Sequence, residues 1–225
     1  SVIILTGLID DILELKPRQK MFGIFVASLV VYFLAGIKVR ELSLPFLGHI
    51  QLGWWSFPLT IFWILALTNA VNLIDGLDGL ATGVTLISLV TMGIVGFFFL
   101  KSWQHYVPIM CIMLAACLLG FLPYNFHPAK IFLGDTGALY IGFMISVLSL
   151  KGLKNVTFVS LLVPILILGV PITDTVYAMI RRKLNKKNIS QADKHHLHHQ
   201  LMRMGLSHRQ TVLAIYGISL IFSFA

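Results

Sequence analysis

The sequence predicts an all-α fold, a polytopic bundle of transmembrane helices. Hydrophobic residues make up 57% of the 225 residues and charged residues only 12%, whereas a soluble domain carries about 25% charged residues. Mean hydropathy is +0.88, and long apolar runs recur along the whole chain. A soluble protein with one large core would need many more surface charges, so we expect residues 1–225 to form a single multi-pass membrane domain.

Seven apolar runs are long enough, or nearly long enough, to be membrane spans. They cover residues 21–37, 54–73, 80–100, 106–122, 137–150, 156–180 and 210–225. Helices are the expected spanning form, because the bilayer core cannot satisfy open backbone groups. The chain starts inside what resembles the end of another apolar helix and stops without a polar tail. We therefore expect a fragment that lacks N-terminal helices and part of the C-terminus.

Seven spans place alternate loops on opposite sides of the membrane. Of the 17 Lys and Arg residues, 12 fall on the side that holds loops 9–20, 74–79, 123–136 and 181–209, and 5 fall on the other side. This excess marks the first side as cytoplasmic. It also accounts for the net charge of +8 without a nucleic-acid partner. Among the acidic residues, only Glu41 lies on the outer side.

The outer loop 38–53 has a pattern of its own. Residues alternate in polarity before and after a segment that can turn, at 45–48. Alternation on both sides of a turn predicts a short β-hairpin on the outer face. We expect its role to be structural.

Adjacent carboxylates end the opening helix, at Asp10 and Asp11, and Lys20 follows in a basic segment. Two buried carboxylates at a membrane boundary cost about 2.5–3.5 kcal/mol each. A metal ion or nearby cations would relieve that cost. The alternative, which the segment alone leaves open, is a solvated helix end beside a positive-inside anchor.

Amide and carboxylate side chains also end an apolar span, at Asn72, Asp75 and Asp78. If this segment is helical, the spacing of three places neighbouring members on a shared face. Glycines 76 and 79 would allow the helix to break or a ligand to approach closely. Because polar groups are expensive at membrane depth, this density indicates a functional site.

Asp135 stands between glycines at the start of the run 137–150. An Asp in this place is often a helix N-cap. A carboxylate beside a helix N-terminus is also a suitable place for a phosphate group with Mg²⁺. The local sequence leaves both interpretations open.

Four histidines lie within the five residues 195–199. They predict either a transition-metal site or a cationic, hydrogen-bonding phosphate site. Zinc normally takes three or four ligands of defined geometry, often with Cys. The other polar groups available are carboxylates and amides, which suit Mg²⁺ or Mn²⁺ better, so phosphate contact is favoured.

Together these groups predict metal-assisted phosphoryl transfer, in which positioning and charge neutralisation provide most of the catalysis. A rival of another class is a metal-ion or proton transporter. A transporter would need acidic groups near the bilayer midplane with access from both sides, and here they collect on one side. A membrane metalloprotease is disfavoured because the sequence has no His-Glu-x-x-His motif.

Four segments resemble the signatures of the polyprenyl-phosphate N-acetylhexosamine-1-phosphate transferases, a glycosyltransferase 4 type family. They are residues 8–20, 69–79, 132–137 and 196–199, and they follow the order of the family. The His-x-His-His form and the Asp-Asp-Ile-Leu-Glu-Leu-Lys-Pro run are most similar to the WecA/TagO-like branch.

The resemblance implies Mg²⁺-dependent transfer of N-acetylglucosamine-1-phosphate from UDP-N-acetylglucosamine to undecaprenyl phosphate, with release of UMP. Mn²⁺ is an alternative ion. The reaction would start teichoic acid or other surface polysaccharide synthesis at the cytoplasmic face of a bacterial plasma membrane. The alternative is the same chemistry on another UDP-N-acetylhexosamine, including UDP-MurNAc-pentapeptide. Membrane lipids are the expected surroundings, and a homodimer is left open.

The resemblance also implies roles for single residues. Asp135 would bind Mg²⁺, with Asn72 or the Asp75 and Asp78 pair completing or supporting the site. Lys20 would contact the diphosphate. The remaining matches are Asp10 and Asp11 near the lipid phosphate, and His196, His198, His199 and Arg203 on the nucleotide sugar, with Arg203 the weaker candidate. The catalytic set implied in this way is Asp10, Asp11, Asp75 and Asp78.

Overall fold

The computed structural model describes residues 2–44, 48–100, 105–152 and 201–224. The predicted span 156–180 and the histidine segment 195–199 lie outside these residues. The described part is mainly helical. Its α-helices are α1 (Val2–Leu13), α2 (Pro17–Phe33), α3 (Ser56–Ile74), α4 (Leu80–Phe99), α5 (Tyr106–Asn125), α6 (Gly134–Gly152) and α7 (His208–Phe224).

Three helical segments in the described part are long and apolar enough to cross a membrane. They are Gly53–Ile74, Leu80–Phe98 and Tyr106–Asn125, and they match the predicted runs 54–73, 80–100 and 106–122. The helical class that composition predicts is therefore confirmed, and the count of seven spans stays a prediction. Helix α6 starts at Gly134, three residues before the apolar run, so that it includes Asp135.

Helix α6 lies at the centre of the bundle, where it packs against α1, α3, α4 and α5. Glycines allow two of these contacts to be close. A Cβ atom on Gly142 would lie 2.9 Å from Cα of Thr68 in α3, and one on Gly7 of α1 would collide with Cα of Thr136 in α6. Small residues at such crossings let backbones approach, which favours helix association in lipid.

Apolar side chains from α3, α4, α5, α6 and α7 form the main core. Its fully buried members include Val71, Val84 and Ile145. Some buried hydroxyl groups bond within their own helix, as Thr85 Oγ1 does by donating to the Ala81 carbonyl at 2.6 Å. This packing fixes the ends of the helices, where the ionisable residues lie.

Two short strands lie between α2 and α3. Strand β1 (Glu41–Leu44) pairs antiparallel with β2 (Gly48–Gln51), with Glu41 opposite Gln51. The turn at 45–47 lies outside the described residues. The strands adjoin the N-terminal end of α3, whose 19 residues span about 28 Å. The carboxylates of the candidate site are at the other end of α3.

Candidate active site

The C-terminal end of α3 and the turn that follows it carry three of the predicted site residues. Asn72 lies in the last turn of α3, and Asp75 is the first residue beyond its end. Gly79 has φ +80 and immediately precedes α4, and Tyr216 of α7 donates a hydrogen bond to its carbonyl oxygen. Because the helix ends before Asp75, this residue and Asp78 do not share the helical face that their spacing predicts.

The connection between α1 and α2 brings Asp10 and Lys20 together. Helix α1 ends at Leu13, and the Leu15 amide then donates to Asp10 Oδ1 at 2.9 Å. Pro17 opens α2, where its fixed φ suits a helix start. Lys20 therefore lies in the first turn of α2 and faces back towards α1.

The Lys20 ammonium group, carried by α2, contacts side chains from three other helices. Its Nζ lies 2.5 Å from Asp10 Oδ2 and 2.8 Å from Asp135 Oδ1, and it donates to Asn72 Oδ1 at 3.2 Å. Asn72 Nδ2 also donates to Asp135 Oδ1. We call Asp10, Lys20, Asn72 and Asp135 the lysine cluster.

Burial and pairing act in opposite directions on Lys20. Burial alone would lower the pKa of its ammonium group, but the hydrogen bonds to Asp10 and Asp135 and their negative charges raise this pKa above its ordinary value. The group is thus held in its charged form. A charged, partly buried ammonium beside two carboxylates is a suitable partner for an anionic substrate.

Asp11 faces a different partner from its neighbour Asp10. Its Oδ1 accepts a hydrogen bond from the Asp135 amide at 2.7 Å, and its Oδ2 accepts from the amide and hydroxyl of Thr136 at 3.0 and 2.5 Å. Burial acts to raise the pKa of Asp11, but these hydrogen bonds, those from Thr136 first, lower it below its ordinary value. Asp11 is therefore held as a carboxylate.

Asp75 lies in a negatively charged environment. Burial, together with the charges of Asp135, Asp11 and Asp78, raises the pKa of its carboxyl group to about 7. Asp75 is therefore protonated over part of the range in which Asp11 and Asp78, whose pKa values are lowered, are ionised. The contrast separates Asp75 chemically from these two carboxylates.

The raised pKa of Asp75 predicts how pH affects stability. In the native protein without metal, Asp75 keeps its proton up to about pH 7, whereas the unfolded chain loses it near 3.8. The native state then binds more protons between these values, so this group's contribution to stability falls as pH rises through that window. We expect Asp75→Asn to raise the thermal unfolding midpoint by an amount that grows towards about pH 7 and then levels off.

The matched control is Asp78→Asn. Burial acts to raise the pKa of Asp78, but hydrogen bonds from His127 and Ala129 lower it below 3.8, so its contribution is present above 3.8 and is lost as pH falls. This variant should destabilise the protein at neutral pH. A constant offset between Asp75→Asn and the parent protein at every pH, measured in detergent with a chelator, would contradict the assignment.

Asp78 belongs to a second polar group beside the lysine cluster. His127 Nδ1 lies 2.9 Å from Asp78 Oδ2, which also accepts from the Ala129 amide at 3.2 Å. The rings of His127 and His208 stack with centroids 4.1 Å apart and 17° between their planes. These three side chains could offer metal ligands, but lone pairs that lie in nearly parallel ring planes do not converge on one ion. The geometry is that of a hydrogen-bonded stack.

The lysine cluster has the donor chemistry that Mg²⁺ requires. Mg²⁺ is bound by oxygen ligands, commonly one or two carboxylates together with substrate phosphates. Asp135 Oδ1 and Asn72 Oδ1 both contact the same cation, Lys20 Nζ, so the two oxygens already face one positive charge. Asp75 offers a further carboxylate nearby. The residues present therefore fit Mg²⁺, or Mn²⁺ with the same ligands.

The structure brings together most, but not all, of the predicted site residues. Direct contacts join Asp10, Lys20, Asn72 and Asp135, and Asp11 bonds to the backbone of Asp135. Asp75 and Asp78 occupy the adjoining turn. Arg203 is exposed, and His196, His198 and His199 lie outside the described residues, so the predicted nucleotide-sugar contacts stay a prediction.

Three contributors to the site were not singled out from the sequence. Thr136 follows Asp135 directly, and a hydroxyl in the first turn of a helix was a signal that could have found it. His127 and His208 come from distant segments and carry no local pattern. His208 reaches Asp78 because α7 packs against α4, and His127 does so because α5 packs against α4, which no local spacing reveals.

Comparison with known proteins identifies relatives that cover nearly the whole chain. A probable undecaprenyl-phosphate N-acetylglucosaminyl 1-phosphate transferase from Bacillus subtilis is 50% identical over 224 residues, which are 99% of this chain and 62% of that protein. A decaprenyl-phosphate N-acetylglucosaminephosphotransferase from Mycobacterium leprae is 36% identical, over 96% of this chain and 59% of its own length. The chain thus spans about three fifths of the length of these two relatives.

A third relative is named for the transfer of a different sugar phosphate. A phospho-N-acetylmuramoyl-pentapeptide-transferase from Clostridium botulinum is 34% identical over 96% of this chain and 67% of its own length. The family model for glycosyl transferase family 4 matches residues 1–153, which include α1 to α6 with the lysine cluster. With its membrane-type helices and this match over more than half its length, the chain is a membrane protein that belongs to glycosyl transferase family 4.

Proposed function

We propose that this chain is the catalytic membrane part of an enzyme that transfers N-acetylglucosamine-1-phosphate from UDP-N-acetylglucosamine to undecaprenyl phosphate. The observation that carries the proposal is the convergence of Asp10, Lys20, Asn72 and Asp135 at one end of the bundle. Residues from distant parts of the chain form one site with both oxygen ligands and a cation, as a metal-bound diphosphate requires. The name of the Bacillus subtilis relative supports the acceptor and the transferred N-acetylglucosamine-1-phosphate group.

The chemistry sets the tasks of these residues. A phosphate monoester has a second pKa near 6, so the lipid phosphate is already mostly a dianion at neutral pH. One of its oxygens attacks the sugar-bearing β-phosphorus of the UDP-sugar, and the bond from that phosphorus to the bridging oxygen breaks, so that UMP leaves with the electron pair. One diphosphate link forms and another breaks, which makes the reaction reversible.

Bringing two anions together is the main barrier, so positioning and charge neutralisation matter most. Asp135 and Asn72 would hold Mg²⁺, which when bound neutralises diphosphate charge. Lys20 is 18% exposed and carries its charge on a flexible chain, so its ammonium can turn from Asp135 towards a substrate phosphate. Asp10, which stays paired with Lys20 from the α1 side, keeps that ammonium near the site. Direct attack is proposed over a covalent aspartyl-phosphate.

The membrane topology that we propose follows from the distribution of Lys and Arg residues. We place the lysine cluster on the cytoplasmic side of a bacterial plasma membrane, in a chain that crosses the bilayer seven times. The positive-inside bias supports this side, and so does the location of the strands at the opposite end of α3. The product would start teichoic acid or another surface polysaccharide.

A second donor is kept as an alternative because of the Clostridium botulinum relative, whose name specifies phospho-N-acetylmuramoyl-pentapeptide transfer. The chemistry at the lysine cluster is the same for both donors. Sugar choice would depend on contacts to the acetamido and hydroxyl groups. A metal-ion or proton transporter is less favoured, since the clustered carboxylates lie at one end of α3 and α6.

The test uses membranes that contain the protein. Radiolabelled UDP-N-acetylglucosamine, Mg²⁺ and undecaprenyl phosphate should yield UMP and a labelled lipid, and a matched reaction without undecaprenyl phosphate should yield neither. UDP-MurNAc-pentapeptide in a parallel reaction decides between the donors. Release of UDP instead of UMP would refute transfer of the sugar with its phosphate. If no UDP-N-acetylhexosamine gave a lipid product, the proposed enzymatic activity would be refuted.

A further inference from the structure

We propose that Asp11 is a positioning residue, which caps the N-terminus of α6 from the neighbouring helix α1 and thereby fixes the position of Asp135. The inference rests on the proposed function, because it assigns Asp11 a task in the same site. It separates the roles of the two adjacent carboxylates. Asp10 would act on the Lys20 side chain, and Asp11 on the backbone that carries Asp135.

The first amides of an α-helix have no partner inside that helix. A side chain just before the helix normally accepts from them, but α6 opens with Gly134 after Leu133, and neither side chain can accept a hydrogen bond. Asp11 supplies the missing acceptor from more than 120 residues away. Both of its oxygens are used, by the Asp135 amide and by the amide and hydroxyl of Thr136.

Two glycines allow this approach. A Cβ atom on Gly7 would collide with Cα of Thr136, and one on Gly134 would lie 3.2 Å from both carboxylate oxygens of Asp11. Gly134 also has φ +67, which glycine adopts readily. The backbones of α1 and α6 are therefore in direct contact at the capped turn, and a side chain at either position would separate them.

The carboxylates of Asp10 and Asp11 have different partners because the side chains of adjacent helical residues point about 100° apart. Asp10 is 4% exposed and pairs with Lys20, whereas Asp11 is exposed at the surface beside α6. Asp135 is thus held twice. Lys20 contacts its carboxylate and Asp11 contacts its amide, so loss of Asp11 frees the backbone on which the carboxylate depends.

The first test needs no substrate and no metal. In the detergent-solubilised protein treated with a chelator, Asp11→Asn replaces an accepting oxygen with an NH₂ group that faces amide donors. Amide hydrogen exchange in peptides that cover the first turn of α6 should become about tenfold faster or more, because hydrogen bonds to charged groups are the stronger ones. Thr136→Val, which removes the hydroxyl donor, should also make exchange faster, but by a smaller factor. Thr136→Ser, which keeps the hydroxyl, should leave the exchange rate as in the parent protein.

The second test is kinetic and separates positioning from chemistry. Asp11→Asn should raise the Mg²⁺ concentration for half-maximal transfer about 10- to 100-fold, as loss of an outer partner of a metal ligand does. The rate at saturating Mg²⁺ should fall much less. Glu14→Gln is the matched control, since it removes one negative charge from an exposed residue just beyond the end of α1, and it should change neither readout.

Two results would overturn the proposal. One is unchanged exchange in the first turn of α6 for both Asp11→Asn and Thr136→Val. The other is a loss of rate at every Mg²⁺ concentration with an unchanged half-saturation, which would place Asp11 in the chemical step. If the parent protein makes no labelled lipid, the proposed function fails, and the exchange experiment still decides whether Asp11 caps α6.

Discussion

Asp135→Ala is expected to reduce lipid-linked product by more than about 100-fold, because loss of even an outer partner of a metal ligand costs about 10- to 100-fold. The change removes the oxygen that both Lys20 and Asn72 contact. It removes no buried apolar group, since Asp135 is 35% exposed. The measurement is the initial rate of UMP release with UDP-N-acetylglucosamine and undecaprenyl phosphate over a range of Mg²⁺ concentrations.

The shape of this Mg²⁺ dependence is as informative as the loss of rate. If Asp135 is the carboxylate ligand, excess Mg²⁺ should not restore the parent rate. Glu41→Ala is the matched control, because it removes an exposed carboxylate from β1, at the far end of α3, and should leave the rate unchanged. An Asp135→Ala protein that retains the parent rate would remove this residue from the metal site and with it the proposed mechanism.

The lysine cluster could be predicted from the sequence because its members are out of place in apolar surroundings. An amide or carboxylate at membrane depth is costly, so the apolar residues around Asn72 and Asp10 are enough to imply that each has a polar partner. Sidedness then places the carboxylates on one face. What the sequence does not specify is which partner each group finds, and this depends on how α1, α2, α3 and α6 pack.

Asp78 shows why the other contacts of the site could not be predicted from the sequence. A spacing of three residues implies a shared face only within a helix, and α3 ends at Ile74. The following turn directs Asp78 to His127 and the Ala129 amide instead. The end of a helix depends on one or two backbone angles, here those of Asp75 with φ −76 and ψ 43, and a change there redirects every side chain that follows.

Asp11 illustrates a related limit. Its sequence neighbours suggested one carboxylate pair with one role, yet the adjacent side chains face different helices. Similarly, Asp135 was open to interpretation as an N-cap or as a metal ligand. The structure assigns the capping contact at α6 to Asp11 and leaves the Asp135 carboxylate with Lys20 and Asn72. Only the tertiary contact between α1 and α6 distinguishes these two interpretations of Asp135.

Lys20→Met is the second substitution expected to have a large effect, on stability and on activity together. It leaves the carboxylate of Asp10, only 4% exposed, without its cation. Removing one partner of a buried ion pair costs about 3–5 kcal/mol. Transfer should fall by about 10²–10³-fold, the usual cost of losing one preorganised group that stabilises developing charge. Thermal unfolding and initial rates measure the two effects separately.

The double variant Lys20→Met with Asp10→Asn separates the two causes. Asparagine removes the stranded negative charge, so most of the lost stability should return and the two substitutions should not be additive. Transfer should stay low, because no cation then faces the diphosphate. Arg18→Met, in the same turn but exposed, controls for loss of a positive charge and should retain activity. If the double variant regained transfer along with stability, Lys20 would act only by neutralising Asp10, and its proposed contact with the diphosphate would have to be abandoned.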